Sequence, residues 1–198
     1  MKKILFCLLL LVFGSSFAVA QCLLREEADA SIGSPDAPVV VVEYSSLTCH
    51  HCAGFHTGTL KKLKEKYIDT GKLRIVFRHY PMDRDALTAS LVITSLPQEK
   101  RFDLIQELFE RQSEWLVNPN PSKKIAEIAG ITEDQMKKLF DDKELQNSVL
   151  QQRLSAQNNF KVSATPTFFI KGIMFEGVPE LDEFEKMIAG DAQPKPSA

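Results

Sequence analysis

Cysteine is scarce in this chain, with four residues in 198. Cys7 falls within residues 1–20 (MKKILFCLLLLVFGSSFAVA), which carry Lys2 and Lys3, an apolar run over 4–13 and the small-residue triplet Ala18-Val19-Ala20. That is the layout of a cleavable secretory signal peptide, and the run is too short to span a bilayer comfortably. The remainder keeps only Cys22, Cys49 and Cys52, an odd number that excludes a small multi-disulfide scaffold. No charge excess exists either: Lys+Arg 24 faces Asp+Glu 26, so no nucleic-acid partner is expected. Histidine is limited to four residues, all between 50 and 79, where a structural zinc site usually needs two separated ligand pairs. Internal repeats and low-complexity tracts are absent. With 44% hydrophobic and 25% charged residues, the sequence describes one ordinary globular domain over 21–198, entered from a turn-rich segment over 21–38 and expected as a monomer.

The order of elements is legible from periodicity. A short strand is expected around 28–32, and 39–44 (VVVVEY) reads as a strand covered on both faces. Cys52, His56, Leu60, Leu63 and Tyr67 then recur at helical spacing, with Gly71 as the stop. Residues 73–80 (LRIVFRHY) form a second strand, so strand, helix and strand make a βαβ unit with a parallel pair. From about 83 to 160 only helical signals occur: 86–95, 99–112, a short helix from Ser122 to Gly130, a capping box of Thr132 with Gln135, and 142–159 with Leu145, Val149, Leu150 and Leu154. The chain returns to β with a hairpin, 167–170 and 173–176 around Lys171-Gly172, followed by a helix over 180–189 and a loose tail.

Cys49-His50-His51-Cys52 stands where the buried strand hands over to the helix. A thiol there meets unsatisfied amide N–H groups and the positive end of the helix dipole, both of which stabilise a thiolate. Two intervening residues bring both sulfurs onto the first turn, with Cys52 directed back towards the sheet. A histidine beside them can hydrogen-bond to or pair with the thiolate, which favours the reduced dithiol and makes the disulfide more oxidising. The competing reading of a CxxC is half a metal site, here an exported metal-binding module using Cys49, Cys52 and nearby histidines.

Three stretches carry a family resemblance: Ile32-Gly33-Ser34-Pro35-Asp36-Ala37-Pro38, Val42-Glu43-Tyr44-Ser45-Ser46-Leu47-Thr48-Cys49-His50-His51-Cys52 and Ala164-Thr165-Pro166-Thr167-Phe168-Phe169. Together they resemble the bacterial DsbA-like thiol:disulfide oxidoreductases. The resemblance implies an α/β fold, the thioredoxin fold with a large all-helical insertion. It implies that Cys49 is the attacked sulfur, Cys52 the buried resolving one, and Pro166, preceded by Thr165, a cis-proline that presents backbone to an extended substrate. Glu43, six residues before Cys49, falls where the family has a buried acid able to shuttle the Cys52 proton. His51 occupies the position of the histidine before the resolving cysteine, and His50 replaces the usual proline. The insertion holds no cysteine, whereas many relatives place a second disulfide there.

His56, one turn beyond Cys52, is expected to be structural or part of a small charge network, and His79 structural. Cys22 follows Gln21, which is too large for a usual lipobox, so a free or intermolecular thiol is expected. The reading is a periplasmic protein that introduces disulfides into cysteine-containing exported proteins, without a cofactor, and is reoxidised by a DsbB-like membrane quinone reductase. A reductase or isomerase on the same fold is the alternative; known isomerases of this kind add an N-terminal dimerisation domain, for which 21–38 leaves little room.

Overall fold

The computed structural model describes residues 29–191; the expected signal peptide, Cys22 and the end of the tail lie outside them. A five-stranded mixed sheet runs in the order β1-β3-β2-β4-β5, with β1 (Ala30–Ile32), β2 (Val39–Ser45), β3 (Leu73–His79), β4 (Thr167–Ile170) and β5 (Ile173–Glu176). Only β2 and β3 are parallel, with Val41 beside Ile75; every other pairing is antiparallel. β2 is central, which its continuous β-branched run requires, because each face of the strand is buried. Val41 belongs to the core under the helix after Cys49, and Val42 and Tyr44 to a second core with Tyr80, Val162 and Phe169 on the opposite face.

Helix α1 begins at His50–Gly54 and continues through Phe55–Thr59, Leu60–Leu63 and Lys64–Ile68. The second and fourth segments are π-helical turns, which the sequence did not announce. Their wider winding keeps the four-residue spacing of Cys52, His56 and Leu60 on one side, and all three are buried. Gly33 is required at the entry to β2: its φ is +104°, and a Cβ there would stand 2.4 Å from the Leu73 carbonyl oxygen. The β4–β5 hairpin turns through Lys171 and Gly172 with φ of 51° and 80°, the left-handed pair that a two-residue hairpin takes.

The stretch between β3 and β4 is entirely helical: α2 (Arg84–Ser95), α3 (Gln98–Glu110), α4 (Gln112–Leu116), α5 (Pro121–Ala129), α6 (Glu133–Asp141) and α7 (Lys143–Phe160). Asp83, Asn120, Thr132 and Asp142 cap four of them through their side chains. α8 (Leu181–Ala189) buries Phe184 and Met187 in the core beneath α1. Two details depart from the sequence reading. The expected helix over 99–112 ends at Glu110, and a separate short helix follows because Trp115 turns inwards and donates its indole N–H to the Leu108 carbonyl. Leu154 is 44% exposed, so the buried line of α7 runs through Val149 and Ala156 instead.

Candidate active site

Ser46, Leu47 and Thr48 join β2 to α1, and the helical insertion holds them in place. Gln112 of α4 donates one amide to the carbonyls of Leu47 (2.8 Å) and Cys49 (3.1 Å). Thr48 donates to the Asp83 carboxylate (2.7 Å), which also caps α2. Cys49 is thereby fixed as the N-cap of α1, in extended conformation, and no side chain occupies the capping role. The first-turn N–H groups are left for its sulfur.

Across the gap, the Thr165–Pro166 peptide bond is cis. Cys49 Sγ lies 3.4 Å from the Thr165 carbonyl oxygen, and the Thr165 hydroxyl lies 3.2 Å from the Met82 sulfur. Met82 is 54% exposed beside the reactive pair. Thr165 and Pro166 thus stand next to the Cys49 sulfur, on the loop that enters β4.

The two sulfurs differ sharply. Hydrogen bonding from the Cys52 thiol lowers the Cys49 pKa to about 5, partial burial opposes this, and the Thr165 side chain and the main-chain N–H groups of Cys52 and His51 add to the lowering. Cys52 is buried, and burial pushes its thiol far upward; the hydrogen bond it gives to Cys49 and the negative field of Glu43 push in the same direction, and only the nearby Ser45 hydroxyl, which favours an ionised sulfur, acts against them. Cys49 is therefore the thiolate and Cys52 the protonated partner. The imidazoles of His50 and His51 are exposed and lie against one another, ring centroids 4.1 Å apart. His51 reaches Cys49 through its main-chain N–H. Replacing Cys52 by Ala removes the leading donor, so alkylation of Cys49 at pH 6 should slow about tenfold. His51→Ala keeps both N–H donors and should slow it less than about threefold on the same scale. Iodoacetamide kinetics on both variants decide this, and equal slowing would place the imidazole on the thiolate.

Glu43 is fully buried and hydrogen-bonded to His56 Nε2, which lies 3.2 Å from each carboxylate oxygen. His56 is equally buried among Phe55, Phe77, Phe102 and Phe109. Its Nδ1 faces the Gln106 amide oxygen at 3.2 Å. That oxygen is identified by the other end of the amide, which donates to the His56 carbonyl and to Glu110. Nδ1 therefore carries hydrogen, and Nε2 faces the Glu43 carboxylate. Glu43 is thus a buried carboxylate that acts electrostatically on Cys52 and has His56 as its partner. His79 is also buried, with its pKa depressed to about 3, by burial first and by Arg101 second, so it is neutral.

Sequence reasoning passed over Ser45, Gln106 and Gln112, polar residues whose buried role has no periodic signal. Thr48 and Asp83 stood at element boundaries, where a cap is foreseeable and a bridge across 35 residues is not. Among the described residues, no group of three or more His, Cys, Asp or Glu is placed to hold a metal ion.

The thioredoxin family model matches residues 25–189. A protein named as a protein-disulfide oxidoreductase in Rickettsia bellii is 31% identical over 160 residues, 76% of this chain and 60% of its own length. The chain spans between 55% and 61% of the length of the five Rickettsia relatives it matches. Disulfide bond formation protein D of Bacillus anthracis is 29% identical, covering 80% of this chain and 76% of that protein. The crystal structure of Wolbachia pipientis alpha-DsbA1 superposes with a TM-score of 0.72 at 32% identity, covering 82% of this chain and 89% of that one. The five-stranded sheet, the helical stretch between β3 and β4, and the Cys49–Cys52 pair facing a cis-proline agree with these matches: the chain belongs to the thioredoxin family, among its DsbA-like members.

Proposed function

We propose that this protein is a thiol:disulfide oxidase of the periplasm, reached through residues 1–20, which donates its Cys49–Cys52 disulfide to cysteine-containing exported proteins. The observation that carries the reading is the asymmetry of the two sulfurs, a thiolate at a helix start beside a buried protonated thiol. A substrate thiolate attacks Cys49 Sγ, the Cys49–Cys52 bond breaks, and Cys52 leaves with the electron pair and takes up a proton. The buried Glu43–His56 pair, whose carboxylate acts electrostatically on Cys52, is the route by which that proton would arrive. A second substrate thiolate then attacks the substrate sulfur of the mixed disulfide, and Cys49 leaves as its stabilised thiolate. The substrate loses two electrons and the protein returns to the dithiol. A DsbB-like quinone reductase would take those electrons onward.

Trapping separates the roles. With an unfolded, reduced ribonuclease as substrate, Cys52→Ser should accumulate mixed disulfides and Cys49→Ser none. The oxidised wild type should form disulfides in the same substrate stoichiometrically. If it does not, while the reduced form rearranges scrambled ribonuclease, the isomerase reading replaces this one.

A further inference from the structure

Strand alternation places Val41, Glu43 and Ser45 on the face of β2 beneath α1. Glu43 and Ser45 lie about 6.6 Å apart along the strand, while Cys52 and His56, one turn apart, are separated by about 6 Å along the helix. The crossover helix runs back over the strand it follows, so the contact between Glu43 and His56 sets the register of the whole layer. Ser45 then lies under Cys52.

The Ser45 hydroxyl is fully buried and has no hydrogen-bond partner in the reduced protein. Its neighbours in the site are all paired: Ser46 with Thr48, Glu43 with His56, and Gln112 with two carbonyls. Burying a hydroxyl without a partner is unfavourable, and alanine would fill the same space at no such cost. A protonated thiol is a poor acceptor, whereas a thiolate is a strong one. The missing partner therefore exists for one part of the cycle, the interval in which Cys52 carries charge. Among the influences on the Cys52 thiol, burial, Cys49 and Glu43 all oppose ionisation, and the nearby Ser45 hydroxyl favours it.

We propose that Ser45 is a catalytic hydrogen-bond donor to the Cys52 sulfur, engaged while that sulfur is a thiolate and idle in the resting dithiol. When an incoming thiolate bonds to Cys49 Sγ and the Cys49–Cys52 bond breaks, the electron pair stays on Cys52 Sγ and the Ser45 O–H turns to it. The Ser45 proton is not transferred; the thiolate is neutralised afterwards. In the reverse direction the same bond stabilises Cys52 as it attacks a mixed disulfide at Cys49. The proposal rests on the exchange function above and adds the group that lowers its barrier.

Glutathione tests it in both directions. Stopped-flow rates for reduction of the oxidised protein, and for release of glutathione from its Cys49 mixed disulfide, should each fall about tenfold in Ser45→Ala. The equilibrium constant with glutathione should be unchanged, since neither resting state uses the bond. Ser45→Ala should melt no lower than wild type, and Ser45→Thr, which keeps the hydroxyl, should recover most of both rates. Ser90→Ala removes another buried, unpartnered hydroxyl, in α2, and should leave both rates unchanged. Equal rates in wild type and Ser45→Ala overturn the proposal, as does a tenfold shift in the equilibrium constant or equal slowing by Ser90→Ala. In each of these outcomes the exchange function stands. A wild type that exchanges nothing with glutathione would remove both.

Discussion

Glu43→Ala should lower the unfolding free energy of the reduced protein by about 3–5 kcal/mol, and Glu43→Gln by less than about 1.5 kcal/mol. Glu43 and His56 have no exposed side-chain surface, so neither can exchange its partner for water. Alanine leaves Nε2 of His56 facing an apolar void while Gln106 still demands hydrogen on Nδ1. Glutamine keeps the shape and can donate its amide to Nε2 while Gln106 still accepts from Nδ1, so both ring nitrogens keep a partner. Pairs of this kind are costly to break and cheap to replace, because desolvation has already cancelled most of the attraction. Urea unfolding at pH 7 measures both values, and equal losses in the two variants would show that the pair does not act as a unit. Glu43→Gln also removes the negative field on Cys52, so that thiol should ionise more readily than in wild type.

Reduced wild type should gain stability over reduced Cys49→Ser as pH rises from 5 to 8, by about 1–2 kcal/mol at pH 7, or roughly 3–6 °C in Tm. The folded Cys49 pKa, about 5, lies below that of an unfolded thiol, about 8.5. A depressed pKa contributes stability in full above the unfolded value and loses it as pH falls through the folded one. The unreduced linkage at pH 7 would be about 2.7 kcal/mol, and partial exposure of Cys49 to water screens it to the smaller figure. Cys52 stays protonated in the fold, so its contribution is adverse only above about pH 8.5, where the unfolded thiol ionises. The oxidised protein has no Cys49 thiol and should show no such rise. Scanning calorimetry of reduced wild type, oxidised wild type and reduced Cys49→Ser from pH 5 to 8 checks this, and parallel curves for all three would mean that folding leaves Cys49 with an ordinary thiol pKa.

The order of strands and helices, the CxxC at a strand-to-helix junction and the proline before β4 were all legible in the residues, because each rests on local physics. Period-two and period-3.6 burial, N-caps and a left-handed Lys171-Gly172 turn act within a few residues of chain. So too was a carboxylate on a buried strand, although a sequence cannot say what neutralises it. The tertiary structure decided that His56 and Gln106, 13 and 63 residues beyond Glu43, close around it, and that Gln112 of the insertion holds the backbone before Cys49. It also decided that the Cys49 sulfur takes its donors from Cys52, Thr165 and main-chain N–H groups, while the two imidazoles beside it turn to solvent. The physical reason is the same throughout. Apolar burial is periodic and is written along the chain, whereas a buried polar group is satisfied by whichever donor or acceptor the packing of distant elements delivers to within about 3 Å.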